Sequence, residues 1–253
     1  MPTLHTIVPC YNEPATLGSV IDSIMAAPLP RGWTRHTIIV DDASDAQGIE
    51  LARGAATRHD PAVTLIEHPV NRGKGAAIRT AFDHVLERDP SMEGAVIVHD
   101  ADLEYSPIDH AALVAALGHP VAASARPDAV FGNRFHAGYR PGSLKRRMHR
   151  LGNRMLTACS NWTTGYSLHD MECCLKCMPI RTLAAIRPLL TEDRFGIEPQ
   201  WTAALARTHA TIAQVEITYC ARGFAQGKKI GVRDALQALR VMWRDRPKHR
   251  AGR

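Results

Sequence analysis

Residues 94–105 read GAVIVHDADLEY: four apolar residues in a row, then acids at alternate positions, Asp100, Asp102 and Glu104. Extended backbone puts alternate side chains on one face, so three carboxylates would share a small volume at the end of a buried strand. Uncompensated, they repel one another. A hard divalent cation relieves that repulsion, because Mg²⁺ and Mn²⁺ prefer oxygen ligands and commonly combine one or two carboxylates with substrate phosphates. The same acids also suit the approach to a helix, since Ser106-Pro107 offers an N-cap serine and a first-turn proline. Spacing alone leaves both readings open.

A second cluster, HDMECCLKC at 169–177, sets Cys173, Cys174 and Cys177 beside His169 and superficially suits zinc. No second C-x-x-C pair or H-x-H partner stands at a suitable spacing. The thiols therefore read as reduced, buried, small apolar groups.

The elements that must position these residues follow from the hydrophobic pattern. LHTIVPC leads to a helix around 14–26, RHTIIVDD to one around 46–58, AVTLIEH to one from about 74 to 87, and GAVIVHD to one from about 107 to 117. Repeated β-α units predict a mostly parallel sheet with helices on both faces. Ligands then bind at the carboxyl ends of the strands. Those ends carry Tyr11, Asn12 and Glu13, then Asp41 and Asp42, then 71–75, then Asp100 to Glu104. In the second half AVFGNRF reads as a strand and 143–160 as a basic helix. A helix around 198–207, a strand in ATIAQVEITY, the loop CARGFAQGKKIG and an amphipathic helix to about 244 follow.

At 253 residues, 45% hydrophobic and 22% charged, the chain has the make-up of one large folded α/β domain, and disorder of the whole chain is excluded. MPTLHTIVPCYNE has no charged segment followed by an apolar one, and no apolar run reaches the length of a spanning helix. The expectation is a cytoplasmic protein. A net charge of +6 favours anionic partners, which include sugar nucleotides, phospholipid surfaces and nucleic acids. Half of the last ten residues, RDRPKHRAGR, are Arg or Lys, a solvated tail that also suits an anionic membrane.

Taken in order, IVPCYNE, IIVDDAS, NRGKGAAIRTAF, VIVHDADLEYSP, FGNRF, LHDMECCLK, RFGIEPQ and GFAQGKKIGVRDALQAL resemble family 2 of the glycosyltransferases. Within it, the chain is most similar to the dolichol- or polyprenyl-phosphate sugar synthases. The resemblance runs to about residue 244 and implies a single GT-A domain over 1–244. Residues 1–120 would be its nucleotide-sugar half and 121–244 its acceptor side, with 245–253 a basic tail. It also implies a metal-dependent, inverting hexosyltransferase that uses a UDP- or GDP-linked sugar with Mg²⁺ or Mn²⁺ and acts peripherally at the inner face of a membrane.

The resemblance assigns residues to that chemistry. Pro9, Tyr11, Glu13 and Asp41 or Asp42 would hold base and ribose, by aromatic stacking and by accepting from N–H and hydroxyl groups. Lys74 and the amides of NRGKG would meet phosphate, as would Arg134 with Arg146 or Arg147. Asp100, Asp102 and Glu104 would hold the cation. Asp170, Glu172 and Glu198 are candidates for acid/base or acceptor-side roles, with helix capping the rival for Glu198. Arg222, Lys228 and Lys229 would belong to a loop that closes over the phosphates and keeps water out. Two departures stand out: Ala43, where the family commonly has glycine in the DDAS turn, and Cys173 and Leu175 within CCLK.

The leading acceptor is a polyprenyl phosphate. The same donor chemistry on a soluble hydroxyl compound or a modified nucleic acid is an alternative, and a nucleotide-binding module without catalysis is another.

Overall fold

The computed structural model describes residues 1–118, 126–135, 144–220 and 232–247, with the side chains of 144–146, 149 and 232–234 outside that description. The first half runs β1 (Thr3–Cys10), α1 (Leu17–Ala26), β2 (Thr34–Asp41), α2 (Ala46–Arg58), β3 (Val63–Glu67), α3 (Lys74–Arg88), β4 (Ala95–Val98) and α4 (Asp109–Gly118). The second half runs β5 (Ala129–Asn133), α5 (Leu144–Thr164), β6 (Lys176–Pro179), α6 (Ile180–Ile186), α7 (Ile197–Arg207), β7 (Ile212–Glu216) and α8 (Val232–Asp245), with a 3-10 turn at Arg187–Leu189.

One seven-stranded sheet in the order β3-β2-β1-β4-β6-β5-β7 joins both halves. The central strands β1 and β4 are almost wholly buried because both faces of the sheet are covered there. Ile38 and Val40 belong to the cluster that contains Ala77, Ala81 and Phe82 of α3. Ile39 points the other way, with Val20 and Ile24 of α1 and Ala52 and Ala55 of α2.

All pairings are parallel except those of β6, which is antiparallel to both β4 and β5. The sequence pattern did not predict this strand. KCMP is short and begins with a lysine, yet Lys176 is fully buried. Its ammonium lies 5.1 Å from the centre of the Phe131 ring and donates to the Cys173 carbonyl at 2.7 Å.

The chain leaves β1 in one direction to β2 and β3, then returns to the other side of β1 as β4. A doubly wound sheet opens a crevice where its strand order reverses, so the crevice lies beyond the carboxyl ends of β1 and β4.

Candidate active site

Three turns meet at that crevice. After β1, Asn12 takes φ 52 and Ala43, after β2, takes φ 60. Their turns are laced together: the Asn12 amide donates to Ser44 Oγ at 2.9 Å, and the Asp45 amide donates to Asn12 Oδ1 at 2.8 Å. Thr16 Oγ1 donates to the Ala101 carbonyl at 2.6 Å, tying the start of α1 to the turn after β4. Tyr11 is exposed at the edge, and Pro9 and Glu13 are half-buried beside it. The DDAS turn thus forms with alanine in the left-handed region that glycine occupies without strain.

The two acids after β2 are used differently. Asp42 is buried and accepts from His68 Nδ1 at 2.7 Å, from the Arg72 amide at 2.9 Å and from the Gly73 amide at 2.6 Å. The amides expected to meet phosphate therefore carry a carboxylate of the protein itself. Gly73 is required there: at φ +101, a Cβ would also lie 2.5 Å from the Asp193 carbonyl. Asp41 is equally buried, but only its Oδ2 is engaged, by the Ser44 amide at 3.0 Å. Its Oδ1 has no hydrogen-bond partner among the described residues.

The expected face of three alternating carboxylates does not form. Extended backbone ends at Val98; residues 101–104 turn, with Leu103 at φ 59. Asp100 accepts from Lys74 Nζ at 2.8 Å and from the Cys174 thiol at 2.9 Å. Glu104 Oε2 accepts from the Tyr219 hydroxyl at 2.7 Å. Asp102 Oδ1 accepts from the Glu104 amide at 3.0 Å. Among the described residues no group of three His, Cys, Asp or Glu side chains is arranged to hold a metal ion. The helix after the turn starts at Asp109, two residues beyond Pro107.

Behind the acidic turn lies a buried chain of charges. Lys74 Nζ also reaches Glu198 Oε1 at 3.3 Å, and Glu198 Oε2 bonds Lys176 Nζ. Burial disfavours the Lys74 ammonium, but the carboxylates of Asp100 and Glu198 outweigh it and hold its pKa well above the ordinary value. Burial likewise raises Asp100, and Lys74 more than offsets this. Glu198 stands in the first turn of α7, so its position suits the helix dipole while its oxygens serve the two lysines. Burial above all raises the Cys174 pKa, keeping the group a thiol donor, and no disulfide forms among the six cysteines.

Arg134 and Asp170 bind each other rather than standing apart. Arg134 Nε donates to Asp170 Oδ2 at 2.6 Å and Nη2 to Oδ1 at 2.7 Å, with Asn153 Nδ2 donating to the same carboxylate at 2.9 Å. Burial pushes the Asp170 carboxyl up, and the guanidinium outweighs it, so its pKa ends below the ordinary value. Glu172 is half-buried with a shielded Oε1 that has no partner among the described residues. Burial, then the charge of Glu198, raises its pKa to about 7. Arg147 is exposed on α5; the side chain of Arg146 lies outside the described residues, as do Arg222, Lys228 and Lys229.

This arrangement of turns accompanies a match of residues 6–172 to the sequence model of Glycosyl transferase family 2. The chain belongs to that family. It is 31% identical over 175 residues to undecaprenyl-phosphate 4-deoxy-4-formamido-L-arabinose transferase of Pseudomonas aeruginosa (strain LESB58), covering 68% of this chain and 46% of the relative. It is 26% identical over 260 residues to dodecaprenyl-phosphate galacturonate synthase of Rhizobium johnstonii, covering 98% of this chain and 69% of the relative. The chain spans about half the length of the undecaprenyl-phosphate relatives first matched. Glucosyl-3-phosphoglycerate synthase from Mycobacterium tuberculosis, solved with Mn²⁺, UDP and glucosyl-3-phosphoglycerate, has the same fold at TM-score 0.63 and 19% identity, over 98% of this chain and 82% of that one. The family 2 domain thus has the expected GT-A fold.

Sequence reasoning missed Lys176, Tyr105, Tyr219 and Asn153. Tyr105 receives the Cys174 amide at 3.2 Å and Arg134 Nη1 at 3.3 Å, bracing the site from beneath. No local signal marks such residues, because each is polar only toward partners brought by other elements. In the described residues, no helix is long and apolar enough to cross a membrane.

Proposed function

We propose that this family 2 domain transfers a sugar, with inversion, from a nucleoside-diphosphate sugar to a polyprenyl phosphate, with a divalent cation at Asp102. The observation that carries the reading is Asp41 Oδ1, a buried acceptor without a partner at the crevice edge, which suits an N–H of the base or a ribose hydroxyl. Tyr11 offers an exposed ring for the base, with Pro9 and Glu13 beside it.

The chemistry of the donor, rather than a ligand cluster preformed among the described residues, suits a hard cation. Asp102 offers only oxygen, and the diphosphate would complete the shell, as is usual for Mg²⁺ and Mn²⁺. Asp100 and Glu104 remain candidate ligands, although Lys74 and Tyr219 hold them in the present arrangement. When bound, the cation neutralises charge developing on the departing diphosphate. Lys74, Arg146, Arg222, Lys228 and Lys229 add positive charge for the phosphates. An acceptor phosphate is already ionised, so its oxygen attacks the anomeric carbon with no protein base, as the bond to the diphosphate breaks. The names of the polyprenyl-phosphate relatives support the acceptor, and structures of the same fold with UDP and Mn²⁺ or Mg²⁺ support the donor.

Glu172 favours a second reading. A carboxyl with a pKa of about 7 suits a general base, which a hydroxyl acceptor requires.

The test is incubation of the full chain with labelled UDP- and GDP-sugars, Mn²⁺ and undecaprenyl phosphate, followed by organic extraction. A lipid-linked sugar from one donor is expected, and Asp102→Ala should slow diphosphate release by about 100-fold or more. Release by Asp102→Ala as fast as by the wild type would remove the assigned cation role. Product that stays in the aqueous phase would favour the second reading.

A further inference from the structure

Helix α5 turns an apolar stripe to solvent, although Leu156 and Cys159 pack on the core. Its core-facing side carries Asn153, Thr157 and Ser160, all buried, whereas Met148, Leu151, Met155 and Trp162 are 60% to 75% exposed. At about 3.6 residues per turn these four fall within about 60° of one another, on the side opposite Asn153 and Ser160. Exposed Arg147 and Arg154 border the stripe. The 21 residues of α5 include no Asp or Glu and five Lys or Arg.

Helix α8 repeats the pattern. Leu236, Leu239 and Trp243 are 40% to 61% exposed at i, i+3 and i+7, while Ala238, Val241 and Met242 face the core. Exposed Arg240 borders its stripe and Arg246 lies over the Trp243 ring at 3.7 Å, while the neighbouring Arg244 is taken up by Glu192 and Asp245. Trp162 stacks on Trp243 with centroids 6.1 Å apart, so the stripes of the two helices meet in one continuous face.

A second copy of the chain would meet basic side chains with basic side chains across such a face. An anionic bilayer complements both features: apolar side chains enter the acyl boundary, Trp rings settle at headgroup level, and arginines keep their charges among the lipid phosphates. We infer that the joined outer faces of α5 and α8 dock this domain onto an anionic membrane surface. The inference deepens the polyprenyl-phosphate reading and rests on it for its purpose. Asn153, on the inner side of α5, hydrogen-bonds the Arg134–Asp170 pair, so the docking face lies one helix diameter, about 10 Å, from that cluster. A lipid phosphate at the surface then needs little lift to reach the crevice.

The experiment is sedimentation of the full chain with vesicles of phosphatidylcholine containing one-third phosphatidylglycerol, with pure phosphatidylcholine as comparison. The expected result is binding to the anionic vesicles, tryptophan quenching by brominated lipid in the wild type, and about tenfold or greater loss of binding in Leu151→Glu/Leu239→Glu. Because both positions are exposed, an unchanged circular-dichroism melt should accompany that loss. Transfer to a short, water-soluble prenyl phosphate should survive in the double variant. No vesicle binding by the wild type, equal binding by the variant, or a wild-type dimer that Leu151→Glu converts to a monomer would each overturn the docking face. Vesicle binding through these stripes without sugar transfer to any prenyl phosphate would leave the docking face standing and remove the acceptor reading.

Discussion

Lys74 Nζ lies 2.8 Å from Asp100 Oδ1 and ties the start of α3 to the turn that follows β4, while reaching Glu198 in α7. Removing the ammonium leaves the Asp100 carboxylate without its cation in a mostly buried place, while Glu198 keeps Lys176. Lys74→Met is expected to cost about 3 kcal/mol, near the low end for a broken buried pair because Asp100 is partly open to water. Urea denaturation at neutral pH measures it. Asp100 has a depressed pKa in the folded state, so its contribution is present above the ordinary carboxylate value and fades as pH falls through the folded one. The difference between Lys74→Met and wild type should therefore shrink in acid.

Arg134 and Asp170 are buried and bidentate, so either alone would be an uncompensated buried charge. Arg134→Met should cost about 3–5 kcal/mol, and Arg134→Met/Asp170→Leu should recover a good part of it, since apolar pairs often replace buried ion pairs without penalty. A double-mutant cycle by chemical denaturation provides the measurement. Equal losses in single and double variants would show that the pair is not the origin of the cost.

Ala43 holds φ 60, where an L side chain is strained. Ala43→Gly removes the strain at some entropic cost and is expected to stabilise by about 0.5–1 kcal/mol, read as a rise in Tm. Ala43→Val should destabilise, because a β-branched residue is poorly tolerated there.

Glu172 has a folded-state pKa of about 7 against an ordinary value of 4.5. A raised carboxyl favours folding while protonated, and that advantage is lost as pH rises from about 4.5 through about 7. Glu172→Gln should thus gain stability relative to wild type across that window. The gain should level off above neutral pH at roughly 1–3 kcal/mol, the half-buried side chain being partly screened. Thermal melts from pH 5 to about pH 8 check the sign. In transfer assays, a base role would give a wild-type rate that rises through about pH 7 and is absent in Glu172→Gln.

The core-facing alternation of β1 to β4, the helices between them and the crevice at their carboxyl ends were legible because hydrophobic period is a local property. RHTIIVDD states which side chains face α3 and which face α1, whatever lies elsewhere in the chain. The family was legible for a related reason: turns such as YNE, DDAS and DADLEY stay in order along the chain.

What tertiary structure alone decided is which charges meet. The sequence placed polar residues at strand ends, but sheet order chose Asp42 as the anion for the Arg72 and Gly73 amides and left an oxygen of Asp41 open. It also set antiparallel β6 between β4 and β5, which brought buried Lys176 to Glu198 and thereby Glu198 to Lys74. The turn at Leu103 broke the alternation that would have aligned the three acids. A polar side chain far from water is stable only beside a partner, and that partner comes from distant chain, so no local pattern names it. The outward apolar stripe of α5 follows the same logic: its period was visible, but only the packed fold decided which of its two faces turned to the core.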